Sequence, residues 1–259
     1  MGEIVSVSTA AHWYAPDGNP NHGATLREAR KELLLGSITS IIRTMAKPVL
    51  EAWKIEQAII SALTLPRIKG ESYTDLAKRI AKDAQDEAGK AADLGSAVHA
   101  AIEQYAKGGS PERDDKIMAI AAPAITWLSE AVETYCMVEQ PLADPAEGFG
   151  GTLDLYFKTK AGEYLLADVK TQKTKKDKKI ETYPEWCWQL AAQKHLVKRT
   201  GGQVTHCINI VLSSTEPGRM EFKTWSDDDI AHGLKVFYAL RDVFYLSRKY
   251  DYTGAEKIK

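Results

Sequence analysis

The chain has 259 residues, 44% hydrophobic and 27% charged, with a formal net charge of −1. That length suits one large domain or a core with an appended helical part, and the composition is that of a globular protein. The charge balance excludes wholesale coating of nucleic acid but leaves room for a local basic groove. Cys136, Cys187 and Cys207 are widely spaced and show no CxxC or Cys/His pattern, so neither a disulfide framework nor a zinc or iron–sulfur site is expected. Residues 1–20 contain no apolar signal core and no Arg-rich amphipathic helix, and no run approaches ~20 apolar residues. The expectation is therefore no signal, transit or transmembrane segment, and a reducing, cytoplasmic setting.

In chain order, Asp17-Gly18-Asn19-Pro20 and His22-Gly23 predict turns in an irregular arm over residues 1–24, packed onto the body through His12-Trp13-Tyr14. Thr25 with Glu28 is a capping-box signal for a helix reaching Leu35. Helices are expected next at 37–45 and 48–63, Pro48 suiting a first turn. A long helical stretch at 73–106 is interrupted by Gly89 and Gly95 and reads as one helix or two. Gly108-Gly109-Ser110-Pro111 ends it, and another helix covers 114–134. The periodicity then shifts to two, giving strands at 135–141, 150–158 and 163–171. A helix at 184–198, strands at 203–212 and 219–224, and a helix from the Ser226 cap to about residue 250 complete the pattern. The fold class is α/β, with a helical region at 25–134 and an α/β core at 135–259 forming one compact unit.

The chemistry concentrates on Asp154 and Asp168-Val169-Lys170. These lie on successive strand-like runs, and alternation places Tyr164, Leu166, Asp168 and Lys170 on one face. Two carboxylates and an ammonium so arranged can hold a divalent metal and aim a water at a phosphodiester. That points to a metal-dependent nuclease. Acid-x-Lys triplets also start at Asp114, Asp177 and Glu221, but only Asp168 has a strand-borne acid one hairpin upstream. Glu221, the serious rival, has no Asp or Glu from Trp186 to Thr215 to partner it.

His99 and Glu103 sit one helical turn apart. A lone helical His is more often a packed or surface residue, but beside an acid pair imidazole can join carboxylates around manganese. Glu103 could ligate, orient His99 or form an ordinary salt bridge, and the orienting role is favoured. Glu139 is either an exposed strand position or a carboxylate near metal and phosphate. Gln189 could bond a phosphate or Lys170, while Gly148, Gly150 and Gly151 would let backbone approach substrate. The six lysines from Lys170 to Lys179, including Lys173, Lys175 and Lys176, form a basic patch whose bland alternative is a solvated loop. Trp53 is available for base stacking, though such a residue is more often core.

Gly95-x-x-x-His99, Gly151-Thr152-Leu153-Asp154, Asp168-Val169-Lys170-Thr171 and the Gln189 helix together resemble the PD-(D/E)XK nucleases of the RecB and Cas4 type. The closer resemblance is to the mitochondrial genome maintenance exonuclease family and its phage relatives. It extends through Leu35-Gly36-Ser37-Ile38-Thr39-Ser40-Ile41-Ile42 and Lys47-Pro48-Val49-Leu50-Glu51-Ala52-Trp53-Lys54, and spans residues 35–244. This likeness implies a restriction-endonuclease-like mixed central sheet flanked by helices. It implies that His99, Asp154 and Asp168 ligate one or two Mg²⁺ or Mn²⁺ ions, with the Val169 carbonyl assisting, and that Lys170 is the catalytic lysine. It also implies exonuclease action on DNA with a free end, single strands preferred, in replication, repair or recombination, with a single-strand annealing or binding protein as a partner. Three departures stand out. Gly36 replaces a frequent proline, the four-cysteine iron–sulfur cluster of the Cas4 branch is absent, and no mitochondrial presequence is present, so a bacterial or phage setting is expected. The alternatives are a structure-specific endonuclease of the same fold and a catalytically weak DNA-binding recombination accessory protein.

Overall fold

Capping groups and apolar periodicity divide the chain into helices and strands around a single sheet. The computed structural model describes residues 12–45, 48–111 and 114–254; Lys47 and residues 1–11 of the expected arm lie outside them. In chain order the first elements are β1 (Trp13–Tyr14), β2 (Pro20–Asn21), α1 (Leu26–Glu32), β3 (Leu35–Ser37), α2 (Ile38–Ile42), α3 (Pro48–Thr64), α4 (Tyr73–Ala106) and α5 (Asp115–Ala131). Then follow β4 (Val132–Asp144), β5 (Phe149–Thr159), β6 (Tyr164–Gln172), α6 (Pro184–Arg199), β7 (His206–Ser213), β8 (Met220–Trp225) and α7 (Asp227–Ser247).

The strands form one mixed sheet in the order β2-β1-β3-β5-β6-β7-β8, with β4 also paired to β5. Helices flank it, so the architecture is the α/β one expected. β5 is the hub. β4 follows one of its edges from Phe149 to Thr159. The other edge is divided: β3 pairs in parallel with Phe149 and Gly150, and β6 pairs antiparallel with Leu155 to Lys158. Residues 151–154 have no described strand partner on that side, and this short opening positions the site.

Alternation along β6 assigns the two faces. Leu165, Ala167 and Val169 pack with Val98, Ala101 and Ile102 of α4 and Ile120 and Leu128 of α5. Leu166 faces the other way, onto Leu190 and Ala191 of α6. A third cluster joins α2, α6 and α7 through Ile38, Ile41, Leu196, Phe237 and Phe244. Burying such area at roughly 25 cal/mol per Å² makes these faces the main source of stability.

Several expected boundaries moved. The Thr25–Glu28 capping box is present, but α1 stops at Glu32 and Leu33 takes a left-handed φ of 53°. Leu35–Ser37, where one expected helix ended and the next began, is a fully buried strand, because burial beside β5 outweighs weak helical propensity. Within the segment read as an irregular arm, Trp13 pairs with Gly36 and lies edge-on to Phe244 and Tyr250. α4 runs 34 residues without interruption. Gly89 and Gly95 each disfavour the helix by only about 1 kcal/mol relative to Ala, too little to break an element anchored by packing at its C-terminal half.

α5 carries Pro123 internally. Proline has no N–H to offer the carbonyl four residues back. That carbonyl, Ala119 O, instead accepts the Gly218 N–H at 3.2 Å, tying the β7–β8 turn to the helix. α5 then passes directly into β4, which is longer than the expected 135–141 strand. Among the described residues no helix is long and apolar enough to cross a membrane.

Candidate metal centre

Beyond the Leu155–Ala167 pair, β6 leaves β5 and continues on β7 alone. The Val169 N–H, turned toward the opening, is accepted by Asp154 Oδ2 at 2.8 Å. A side chain thus takes the place of the missing ladder bond and fixes Asp154 in the gap. On the opposite edge the Val138–Leu155 and Gln140–Leu153 pairs bracket Glu139 and set it across from Asp154. Glu139 has a left-handed φ of 46°, a conformation costing a non-glycine residue roughly 1–2 kcal/mol. His99 of α4 completes the group, its Nδ1 3.5 Å from Asp154 Oδ2.

One ligand atom each from His99, Glu139 and Asp154 lies within 4.8 Å of the others, so these three half-buried groups could hold a metal ion. They line a small cavity of about 10 Å³ together with Glu103, Ile102, Leu155 and Val169. The crowding is electrostatic as well as steric. Burial, then the Asp154 and Glu103 carboxylates, push the Glu139 carboxyl up to about 8 despite the opposing pull of Lys107. Carboxyl groups crowded against one imidazole are a donor set that suits a hard divalent cation, and the nitrogen favours manganese among such ions.

Asp168 adjoins this trio. It is 1% exposed, and both its oxygens are hydrogen-bonded. Oδ1 accepts from Lys170 Nζ at 2.9 Å and Gln189 Nε2 at 2.7 Å. Oδ2 accepts from Asn209 Nδ2 at 2.7 Å and lies 2.8 Å from Lys170 Nζ. Gln189 Oε1 also accepts from Lys170 Nζ at 3.1 Å, so the lysine is gripped from two elements. Burial pushes the Asp168 carboxyl up to about 6 against the attraction of Lys170, and the Asp154 charge adds to the rise. For Lys170, burial acts to lower the ammonium, but the Asp168 and Asp154 charges outweigh it and the net shift is upward. Between these limits the two form a buried ion pair.

The sequence expectations divide against this geometry. His99, Asp154 and Val169 meet at the cavity, and Lys170 and Gln189 meet at Asp168. Of its two readings, Glu139 takes the one beside the acid pair. Asp168, expected to ligate, stands beside the three-residue group with its oxygens engaged. Glu103, expected to orient His99, instead bonds Lys107 at 2.6 Å while its carboxylate lines the cavity. Gly148, Gly150 and Gly151 make room for neighbouring side chains of the protein itself. A Cβ would lie 2.4 Å from the Tyr252 ring at Gly148, 2.7 Å from Tyr14 at Gly150 and 2.6 Å from Ile38 at Gly151.

Lys173, Lys175 and Lys176 are exposed on the loop after β6. That loop is braced: Arg219 donates to the Lys175 and Lys178 carbonyls, and the Thr174 hydroxyl meets Ser213 and Glu216. Trp53 is half-buried on α3, which packs against α4.

Sequence reasoning missed two features. Asn209 was hidden in the apolar run Cys207–Leu212, where one amide among hydrophobic residues was the available signal. Asp144 was also missed. It is buried, with His195 Nε2 at 2.8 Å and Arg199 Nε at 3.2 Å, and joins the end of β4 to α6.

No protein-family model matches this chain, and no curated protein matches it. Among solved structures it is similar to a Eubacterium rectale protein described as a candidate exonuclease, at 10% identity and a TM-score of 0.44, over 60% of this chain and 68% of that one. It is also similar to the protein SSO0001, at 12% identity and a TM-score of 0.31, over 74% of this chain and 86% of that one. Likenesses this distant leave the reading of the site to its own residues.

Proposed function

We propose that this chain is a divalent-metal-dependent nuclease that hydrolyses DNA phosphodiester bonds from free strand ends. The observation that carries this reading is the juxtaposition of a His99–Glu139–Asp154 cluster with the buried Asp168–Lys170–Gln189 cluster, linked by the Asp154–Val169 hydrogen bond. His99, Glu139 and Asp154 would hold the ion, with Asp168 and the Val169 carbonyl as adjoining donors. The helical region 25–134 supplies His99, and it acts with 135–259 as one unit. Bound there, Mg²⁺ or Mn²⁺ supplies Lewis acidity and lowers the pKa of water at the site.

The chain's own groups do the rest. Asp168 and Gln189 aim Lys170 Nζ, which hydrogen-bonds the scissile phosphate and stabilises the charge growing on its oxygens. Such preorganisation is needed because unaided phosphodiester hydrolysis requires on the order of 20 kcal/mol of barrier lowering. Lys173, Lys175 and Lys176 hold the backbone of the incoming strand.

The test is Mg²⁺- or Mn²⁺-started digestion of 5′- and 3′-labelled linear strands, with a circular single strand as control. Linear strands should be shortened from an end and circles left intact. Lys170→Ala and Asp154→Asn should each lower the rate by about 100-fold or more while retaining the far-UV circular dichroism of the parent. Near-parental cleavage by either variant overturns the site, and cleavage of circles overturns the end requirement.

A further inference from the structure

A larger cavity, of about 360 Å³, lies between the first turns of α6 and α7 and the end of β8. Its walls include the indoles of Trp188 and Trp225, with Lys223 and His232 beside them. The Lys223 ammonium sits 4.4 Å from the centre of the Trp225 ring. The one carboxylate among the lining residues, Asp229, is turned to its own helix, capping α7 by accepting from the Ser226 N–H and hydroxyl. The cavity therefore presents planar apolar walls and a cation.

The cavity communicates with the cleavage cluster through two hydrogen bonds. Trp225 Nε1 donates to Asn209 Oδ1 at 2.7 Å, and Asn209 Nδ2 donates to Asp168 Oδ2 at 2.7 Å. Trp188 is also the chain neighbour of Gln189, which bonds both Asp168 and Lys170.

We propose that this cavity is a subsite for one nucleotide, its base packed against the Trp188 and Trp225 indoles and its phosphate on Lys223. The volume falls within the range of about 300–1,000 Å³ typical of small-ligand sites. Base–indole contact is tolerant of sequence, as a subsite for successive nucleotides of a strand must be. The naming of a strand as the source of that nucleotide rests on the nuclease reading; the binding of base plus phosphate does not.

The experiment titrates dAMP into the full-length chain without added metal, following tryptophan fluorescence and calorimetry. Deoxyribose 5-phosphate and inorganic phosphate serve as probes lacking the base. The subsite requires dAMP to bind at least about tenfold more tightly than deoxyribose 5-phosphate. Lys223→Ala should weaken dAMP binding by about tenfold, and Asp154→Asn should leave it within about twofold. Should Lys223→Ala not fold, Lys223→Gln, which keeps the side-chain length and removes the charge, makes the same comparison. Equal affinity for dAMP and the baseless sugar phosphate, or full-strength dAMP binding by the folded Lys223 variant, overturns the subsite. A chain that cuts DNA without base-dependent binding loses this subsite alone. A chain that binds dAMP as described but cuts nothing keeps it and loses the nuclease reading.

Discussion

Asn209 holds two buried groups at once, the Asp168 carboxylate and the Trp225 indole N–H. Replacing it with leucine keeps the apolar character of β7 but takes the partner from the Trp225 N–H and one of the hydrogen bonds from Asp168, which keeps Lys170 and Gln189. An unsatisfied buried polar group disfavours folding by roughly 1–3 kcal/mol. Asn209→Leu should therefore lose about that much stability in urea titration, and cleavage should fall with it because Lys170 is aimed through Asp168. Glu139 gives a residue-scale prediction of opposite sign. Its carboxyl rises from 4.5 unfolded to about 8 folded, so the native state holds the proton over a range where the unfolded chain has released it. Stability from this group is present below about pH 4.5 and is lost as pH climbs toward 8. Glu139→Gln should flatten the melting temperature across that window and raise it relative to the parent at pH 8. A variant that melts lower than the parent at pH 8 would show that Glu139 is not crowded as described.

Glycines separate two kinds of element. In α4, Gly89 is exposed and a Cβ there meets nothing within 4 Å. Gly89→Ala should add about 0.5–1 kcal/mol, read from urea midpoints. Gly151→Ala in β5 should do the reverse, because its Cβ would press on Ile38. The braced lysine loop makes a third element. Its carbonyls are fixed by Arg219, so exposed Lys173, Lys175 and Lys176 are presented from an ordered backbone. Converting all three to alanine should reduce the slope of log affinity for single-stranded DNA against log salt by about 0.7 for each phosphate no longer neutralised. An unchanged slope would remove the loop from the DNA path.

At the scale of the whole molecule, a cation at the His99–Glu139–Asp154 cluster would join α4 to the β4–β5 hairpin, which α5 separates from it in sequence. Binding only to the folded chain stabilises it by about 2.7 kcal/mol at a hundredfold excess over Kd. Mn²⁺ should raise the melting temperature of the parent and leave that of Asp154→Asn unmoved, a readout that needs no substrate. The α/β order and the Asp154/Asp168 hairpin were legible because period-two alternation is local, and the capping box of α1 because two residues, Thr25 and Glu28, suffice to write it. What escaped depended on distant partners. β3 is three residues whose strand character exists only beside β1 and β5, at a point where one expected helix ended at Leu35 and the next began at Ser37. Glu139 had two equal readings until the β4–β5 register placed it opposite Asp154. Glu103 went to Lys107 because a flexible acid on a solvated helix face takes the nearest cation, a choice that spacing to His99 leaves open.

The divided border of β5 makes the N-terminal residues guardians of solubility as well as of the cleft. Were Trp13–Ser37 deleted, Phe149 and Gly150 would present bare amides and carbonyls along a hydrophobic ribbon, an invitation for a neighbouring copy to dock edge to edge. Such a shortened chain should self-associate in light scattering, and its opening at Asp154 would be capped by a stranger's backbone.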